Sequence, residues 1–375
     1  MSEQAAAAAL MKLAGSPGDV DARAKVVRWL LGDKLIADRV DEADAEHLVD
    51  EAAARTTAGT EAAVLAELKA GLEASPGTTL IALFRFPKVR QVWDFGPVRF
   101  GPPALVIDER VVPATGSWGA SASAAAFAVR VDEPAIGTRG SRRALEWLRA
   151  GLGALYLAGR LNGGGADTRL GPVPADELAP SVFVGPVGSL GCLVEVLRVP
   201  ATVPLELDAL LAAEEASALV LDCLQSEPAD LVQHRLRQAA PWIQFSFDAL
   251  SFPDAVLGLG VALESLVGAE NTSDVVRTIG MRAAFLLREG DTPAERALTG
   301  SDWQIKAKSL YKARSTVAHG RYEEGALSQA KEREIRHDFE DLVCRIATTF
   351  RAEGRRHNWL TDKDLKNWQE QLELA

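Results

Sequence analysis

The chain has 375 residues, of which 25% are charged and 47% hydrophobic, and this balance excludes a largely disordered protein. Its length predicts two or three domains. The formal net charge of −11 argues against a protein that coats nucleic acid indiscriminately, since such binding needs many lysines and arginines against phosphates.

The three cysteines indicate a reducing compartment. Cys192, Cys223 and Cys344 lie far apart in apolar runs, and none has a second Cys or His at metal-ligand spacing. No segment reaches the ~18 consecutive apolar residues of a membrane span. The N-terminus lacks the basic region of a secretion signal. We therefore expect a cytoplasmic protein with buried thiols, no membrane contact, and no metal or cofactor.

The first predicted unit is a helical segment over residues 1–75. Val27, Leu30 and Leu31 recur at helical spacing, and Thr60 precedes a second amphipathic run as a helix cap. The tripeptide SPG at 75–77 then ends the helical pattern.

The second predicted unit, residues 76–203, is an α+β domain. A helix is predicted over residues 142–161. The strand candidates are short runs rich in β-branched and aromatic residues, separated by Pro and Gly. They are TTLIALFRF (78–86), QVWDFGPVRF (91–100), PALVIDERVV (103–112), SAAAFAVRV (123–131) and LGCLVEVLRV (190–199).

The third predicted unit, residues 204–375, is an all-α bundle. Two helices are expected within 205–224 and 228–250, and a third begins near Pro253. A fourth starts at residues 272–274 and stops at Gly290, a fifth covers 302–318, and a sixth surrounds Phe339. Thr361 is expected to cap a short terminal helix. The core face predicted for the fifth helix consists of Trp303, Ala307, Leu310, Ala313 and Val317.

The stretch YKARSTVAHG, residues 311–320, sets Arg314 and His319 five positions apart just before a glycine. Residues 303–321 contain five basic side chains and no acidic one. Five residues of a continuous helix rotate by ~500°, which leaves the two side chains ~140° apart. The pair therefore converges most easily if the helix frays at its end, or if the arginine and the histidine of two different chains face one target.

In chain order, VALESLVG, a helix with RAAFLL, Glu295 followed by Arg296, LYKARSTVAHG and a further amphipathic helix resemble the landmarks of the Apea-like branch of HEPN domains. The resemblance covers roughly residues 250–350. The family motif is an arginine, four to six residues, and a histidine, which Arg314 and His319 match with four. It implies a HEPN-like bundle that forms a homodimer.

The resemblance also implies an activity, metal-independent cleavage of RNA in bacterial defence or toxin systems. His319 would transfer protons at the ribose 2′-OH, since a histidine titrates near neutrality. Arg314 would hold the phosphate with its fixed fork of donors. Residues 1–203 would then be a sensor or regulator, open to an inhibitor or an activating ligand.

Neighbouring residues have candidate roles beside that pair. Glu264, on an apolar helix, is expected to pair with Arg314 or another arginine, and Ser315 has a supporting role. The candidate RNA contacts are Lys308, Lys312, Tyr311 and Arg321.

Each role has a structural alternative. Tyr311 suits packing, the two lysines and Arg321 suit a solvated helix face, and Arg314 suits a surface arginine in such a strip. His319 suits a helix end, where the dipole favours a cation. The alternative function is a non-catalytic HEPN dimer that binds RNA, a nucleotide or a protein partner.

Overall fold

The computed structural model describes residues 1–75, 77–84, 89–107, 127–161, 182–186, 193–195, 207–268, 274–323 and 325–373. The protein is mainly helical, with a small antiparallel sheet in its N-terminal half and helices throughout the described part of its C-terminal half.

Five helices form the N-terminal segment. Their bounds are α1 Glu3–Gly15, α2 Val20–Leu30, α3 Lys34–Ala37, α4 Glu42–Arg55 and α5 Glu61–Ala74. Asp19 and Asp41 cap α2 and α4 by accepting from backbone N–H groups that the helix leaves free. The segment has its own hydrophobic cluster, which includes Leu10, Val26 and Leu65.

The sheet contains six described strands, with every neighbouring pair antiparallel. They are β1 Thr78–Phe84, β2 Trp93–Phe95, β3 Val98–Gly101, β4 Phe127–Glu133, β5 Val182–Pro186 and β6 Leu193–Glu195. Their order is β2-β3-β4-β1-β5-β6. All seven residues of the central strand β1 are buried, which explains its nearly continuous apolar sequence.

The strand predictions need three corrections, the first of which is that β5, Val182–Pro186, was not predicted. QVWDFGPVRF forms both β2 and β3, because Gly96 turns the chain with φ +74°. Pro103–Val106 is a short helix, α6, and not the start of a strand, since proline is favoured at the first helical positions. Residues 108–112 lie outside the described residues. The long helix α7 spans Gly137–Leu161 and starts earlier than the predicted residue 142.

Eight further helices form the described part of the C-terminal half. They are α8 Leu207–Ala212, α9 Glu214–Cys223, α10 Leu231–Asp248, α11 Phe252–Val267, α12 Val275–Leu286, α13 Pro293–Ala318, α14 Gln329–His357 and α15 Asp362–Glu373. The single helix expected over 205–224 is two helices that meet at Ala213. The predicted core face of α13 is confirmed, since Ala307 and Leu310 are buried and the other three members pack against the same core.

Helix α7 links the sheet to the C-terminal helices through one continuous hydrophobic cluster. Gly153 of α7 lies so close to α10 that a Cβ there would be 2.0 Å from the Ala240 carbonyl oxygen. The Tyr156 and Phe247 rings meet with centroids 3.7 Å apart. Residues 1–75 thus have a core of their own, whereas the sheet and the bundle share one. The predicted boundary near 203 lies outside the described residues.

Two of the three cysteines are buried free thiols, as expected. Burial raises the pKa of Cys223, and it raises that of Cys344 to about 12. Cys192 lies outside the described residues. Over the part of the chain that the structure covers, no helix combines the length and the apolarity that crossing a bilayer requires.

Candidate active site

The candidate site lies along the second half of α13, which is helical without interruption from Pro293 to Ala318. Its C-terminus is a Schellman motif. The Gly320 N–H donates to the Val317 carbonyl and the Arg321 N–H to the Thr316 carbonyl, each at 2.9 Å. Gly320 has φ +64°, the left-handed conformation that this motif requires. His319 is the last residue before that turn.

Arg314 leaves α13 on the side that faces α11. Its aliphatic stem crosses Gly260, where an added Cβ would be 2.2 Å from the Arg314 Cγ. One turn further along α11, Glu264 receives the guanidinium, with 3.1 Å between Arg314 Nη2 and Glu264 Oε1. The glycine and the glutamate are four residues apart and so share one helix face. The pairing of Glu264 with Arg314 is one of the two arrangements that the sequence left open.

Tyr311 completes this cluster. Its ring is 5% exposed and its hydroxyl donates to Glu264. Burial, followed by the hydrogen bond and charge of Glu264, raises the pKa of the phenol well above its usual range. The Arg314 Cζ lies 5.5 Å from the Tyr311 ring centroid, at cation-π distance. Arg314 Nε is buried without a hydrogen-bond partner among the described atoms.

His319 has a contrasting environment. Its side chain is exposed, and its backbone N–H donates to the Ser315 carbonyl at 3.1 Å. No hydrogen bond or ion pair joins its imidazole to another residue that the structure describes. Because α13 stays helical from Arg314 to Ala318, the two side chains leave the helix ~140° apart. The guanidinium therefore faces α11, and the imidazole is open to solvent at the helix end.

The candidate RNA contacts divide into two groups. Lys312 and Arg321 are exposed, and Lys308 is half-buried where its stem crosses Gly280 of α12. Tyr311 is covered by the core, so no base can stack on its ring in this structure.

An open groove of about 870 Å³ runs between α12 and α13, and sequence reasoning missed it. It brings Lys308 and Lys312 next to Arg277, Arg288 and Arg296. The two helices are separated by a loop, and Arg277, Arg288 and Arg296 lie outside the basic stretch 303–321. A helical projection of α12 that marks its cations as well as its apolar stripe would have indicated this groove.

Comparisons of the chain with protein families, with curated proteins and with solved structures found no match. The geometry described above therefore carries the functional argument.

Proposed function

We propose that the C-terminal helices form a HEPN-like domain that cleaves RNA as a homodimer, without a metal ion, by attack of a ribose 2′-OH on the adjacent phosphate. The observation that carries this proposal is the exposed imidazole of His319, which no described residue engages. It lies at the end of the basic stretch of α13, five residues after Arg314, whose guanidinium pairs with Glu264 of α11.

The roles follow from the chemistry of the two groups. His319 takes the proton of the 2′-OH as the 2′-oxygen bonds to phosphorus. The bond to the 5′-oxygen breaks, and that oxygen takes up a proton from the imidazolium or from solvent. Arg314 stabilises the negative charge that develops on the phosphate oxygens between them. The products are a 2′,3′-cyclic phosphate and a free 5′-hydroxyl.

A second subunit would bring together the two groups that leave α13 of one chain in different directions. Within one chain α13 does not fray between Arg314 and His319, which leaves opposed subunits as the way to bring both groups to one phosphate. The arginine of one copy would then act with the histidine of the other. In this proposal residues 1–203 hold the nuclease silent until an activating ligand binds or an inhibitor leaves, as in bacterial defence or toxin systems.

The first prediction concerns His319→Ala. With a chelator present, the wild-type chain should release fragments that end in a 2′,3′-cyclic phosphate, and His319→Ala should release none. His337→Ala, at an exposed histidine of α14, is the matched control and should cleave normally. Gel analysis of labelled RNA gives the readout, and circular dichroism checks that each variant folds.

Mixing two inactive variants tests the dimeric arrangement. When the Arg314→Ala chain is mixed with the His319→Ala chain, part of the activity should return, since each mixed dimer keeps one intact composite site. No recovery from stable mixed dimers would contradict the shared site.

One observation favours the second candidate, a non-catalytic dimer that binds RNA, a nucleotide or a protein partner. Glu264 already partly neutralises Arg314, as expected of a guanidinium with a structural task. RNA binding that survives His319→Ala, together with no cleavage by the wild-type chain, would support this candidate over the nuclease.

A further inference from the structure

We infer that the groove between α12 and α13 binds a single strand of RNA and leads it toward His319. This inference rests on the proposed function for its choice of RNA, but its evidence is a different part of the surface. That evidence is the charge of the groove, the composition of its floor, and its direction along α13.

The groove has an excess of positive charge. Five cationic side chains line it against one carboxylate, Asp274. Arg277, Arg288, Lys308 and Lys312 form no ion pair with any residue that the structure describes, whereas Lys306, outside the groove, pairs with Asp338 at 3.0 Å. In a chain with net charge −11, such a concentration of cations favours an anionic ligand.

Arg288 shows the same imbalance. Burial, together with the nearby charge of Arg296, lowers the pKa of its guanidinium, and the charge of Glu353 offsets part of that effect. Arg296 itself donates to the Gly290 and Asp291 carbonyls at 3.2 Å, which holds it at the groove end. A bound phosphate would relieve the repulsion between the two cations.

The floor of the groove is apolar. Val276, Met281 and Phe285 are half-buried there, and the Arg288 Cζ lies 5.8 Å from the Phe285 ring centroid. Phosphates beside a wall of cations and bases against an aromatic floor are the two parts of single-strand recognition. A duplex keeps its bases stacked inside, where this floor cannot reach them. A peptide of acidic residues alone would use the cations but leave the apolar floor without a matching group.

The groove points toward the candidate catalytic histidine. Lys308, Lys312 and His319 are four and seven residues apart in turn, so they project from α13 within ~40° of one another. The line covers ~16 Å of helix. Arg314 lies off this line, on the side that faces α11. A strand held by the two lysines therefore reaches His319 without crossing Arg314 of its own subunit.

The test measures binding of a fluorescein-labelled single-stranded oligoribonucleotide by anisotropy, with His319→Ala in every chain so that the probe stays intact. We expect Arg277→Glu combined with Lys312→Glu to bind the probe on the order of tenfold or more weakly. The magnitude of the slope of log K against log salt should fall by about 1.4, or ~0.7 for each phosphate that the variant no longer neutralises.

The matched control reverses the same charge elsewhere. Lys331→Glu combined with Lys366→Glu changes two exposed lysines of α14 and α15 and should leave affinity unchanged. Equally weakened binding in both double variants would overturn the inference, because binding would then depend on net charge alone. If the reversed groove fails to fold, Arg277→Gln with Lys312→Gln replaces it.

Phe285→Leu tests the floor. It keeps an apolar side chain but removes the ring, so single-strand affinity should fall about tenfold while duplex affinity stays the same. Polyglutamate that competes as well as RNA of the same charge would overturn the assignment to RNA.

These outcomes separate the inference from the proposed nuclease. Cleavage by the wild-type chain, together with unchanged affinity in the groove variants, leaves the nuclease and rejects the groove. Loss of binding in the groove variants, without cleavage by the wild-type chain, leaves the groove and rejects the nuclease.

Discussion

At the scale of single residues, the position of Arg314 depends on two residues of α11. Gly260 leaves room for the arginine stem, and Glu264, four residues later, receives its guanidinium. A side chain at position 260 would occupy the same space as the Arg314 Cγ. Gly260 therefore affects the candidate site indirectly, by leaving the space that the Arg314 side chain occupies.

Gly260→Ala should displace Arg314 and destabilise the fold by about 1–3 kcal/mol, the usual cost of overpacking. In a cleavage assay it should behave like Arg314→Ala. Gly71→Ala is the matched control, since nothing lies within 4 Å of a Cβ at that exposed position of α5. It should be neutral or stabilise by ~0.5–1 kcal/mol, the helix preference for alanine. Normal cleavage by a folded Gly260→Ala chain would show that Arg314 need not stay on α11.

At the scale of secondary-structure elements, α13 shows which features could be predicted from the sequence. Its apolar face and its glycine end follow from periodicity and from the left-handed turn, which are local properties. Its start at Pro293 was missed, although Thr292 and Glu295 form a capping box there. The groove beside it could not be predicted, because side chains from α12 and α13 make one surface only after the helices pack.

Gly320→Ala tests whether the end of α13 presents His319 for the reaction. Gly320 and Gly325 both have positive φ, +64° and +85°, and neither has atoms within 4 Å of an added Cβ. Alanine at either position should therefore cost a similar ~1–2 kcal/mol in the free energy of unfolding. Only Gly320→Ala should also lower cleavage, since it disturbs the turn that follows His319. Equal cleavage by the two variants would show that the turn after His319 does not affect the activity.

At the scale of the whole molecule, the sheet and the bundle are joined at a junction that contains a half-buried acid. Asp248 ends α10, and Arg336 of α14 donates there to the Ser246 and Phe247 carbonyls at 2.8 and 3.2 Å. Burial raises the pKa of Asp248 to about 7, and the hydrogen bond from Gln244 and the charges of Arg149 and Arg336 offset only part of that effect.

The sign of the resulting pH dependence follows from linkage. The folded chain holds the Asp248 proton up to about pH 7, whereas the unfolded chain releases it near the ordinary value of 3.8. The stabilisation is therefore complete below pH 3.8 and is lost as the pH rises through about 7. Asp248→Asn keeps a partner for Gln244 but carries no charge. It should match the wild type in acid and exceed its stability in alkali, as measured by urea unfolding. Asp302→Asn, at an exposed site of α13, should not shift the profile. An unchanged profile in Asp248→Asn would mean that this carboxyl does not make the junction between the two halves sensitive to pH.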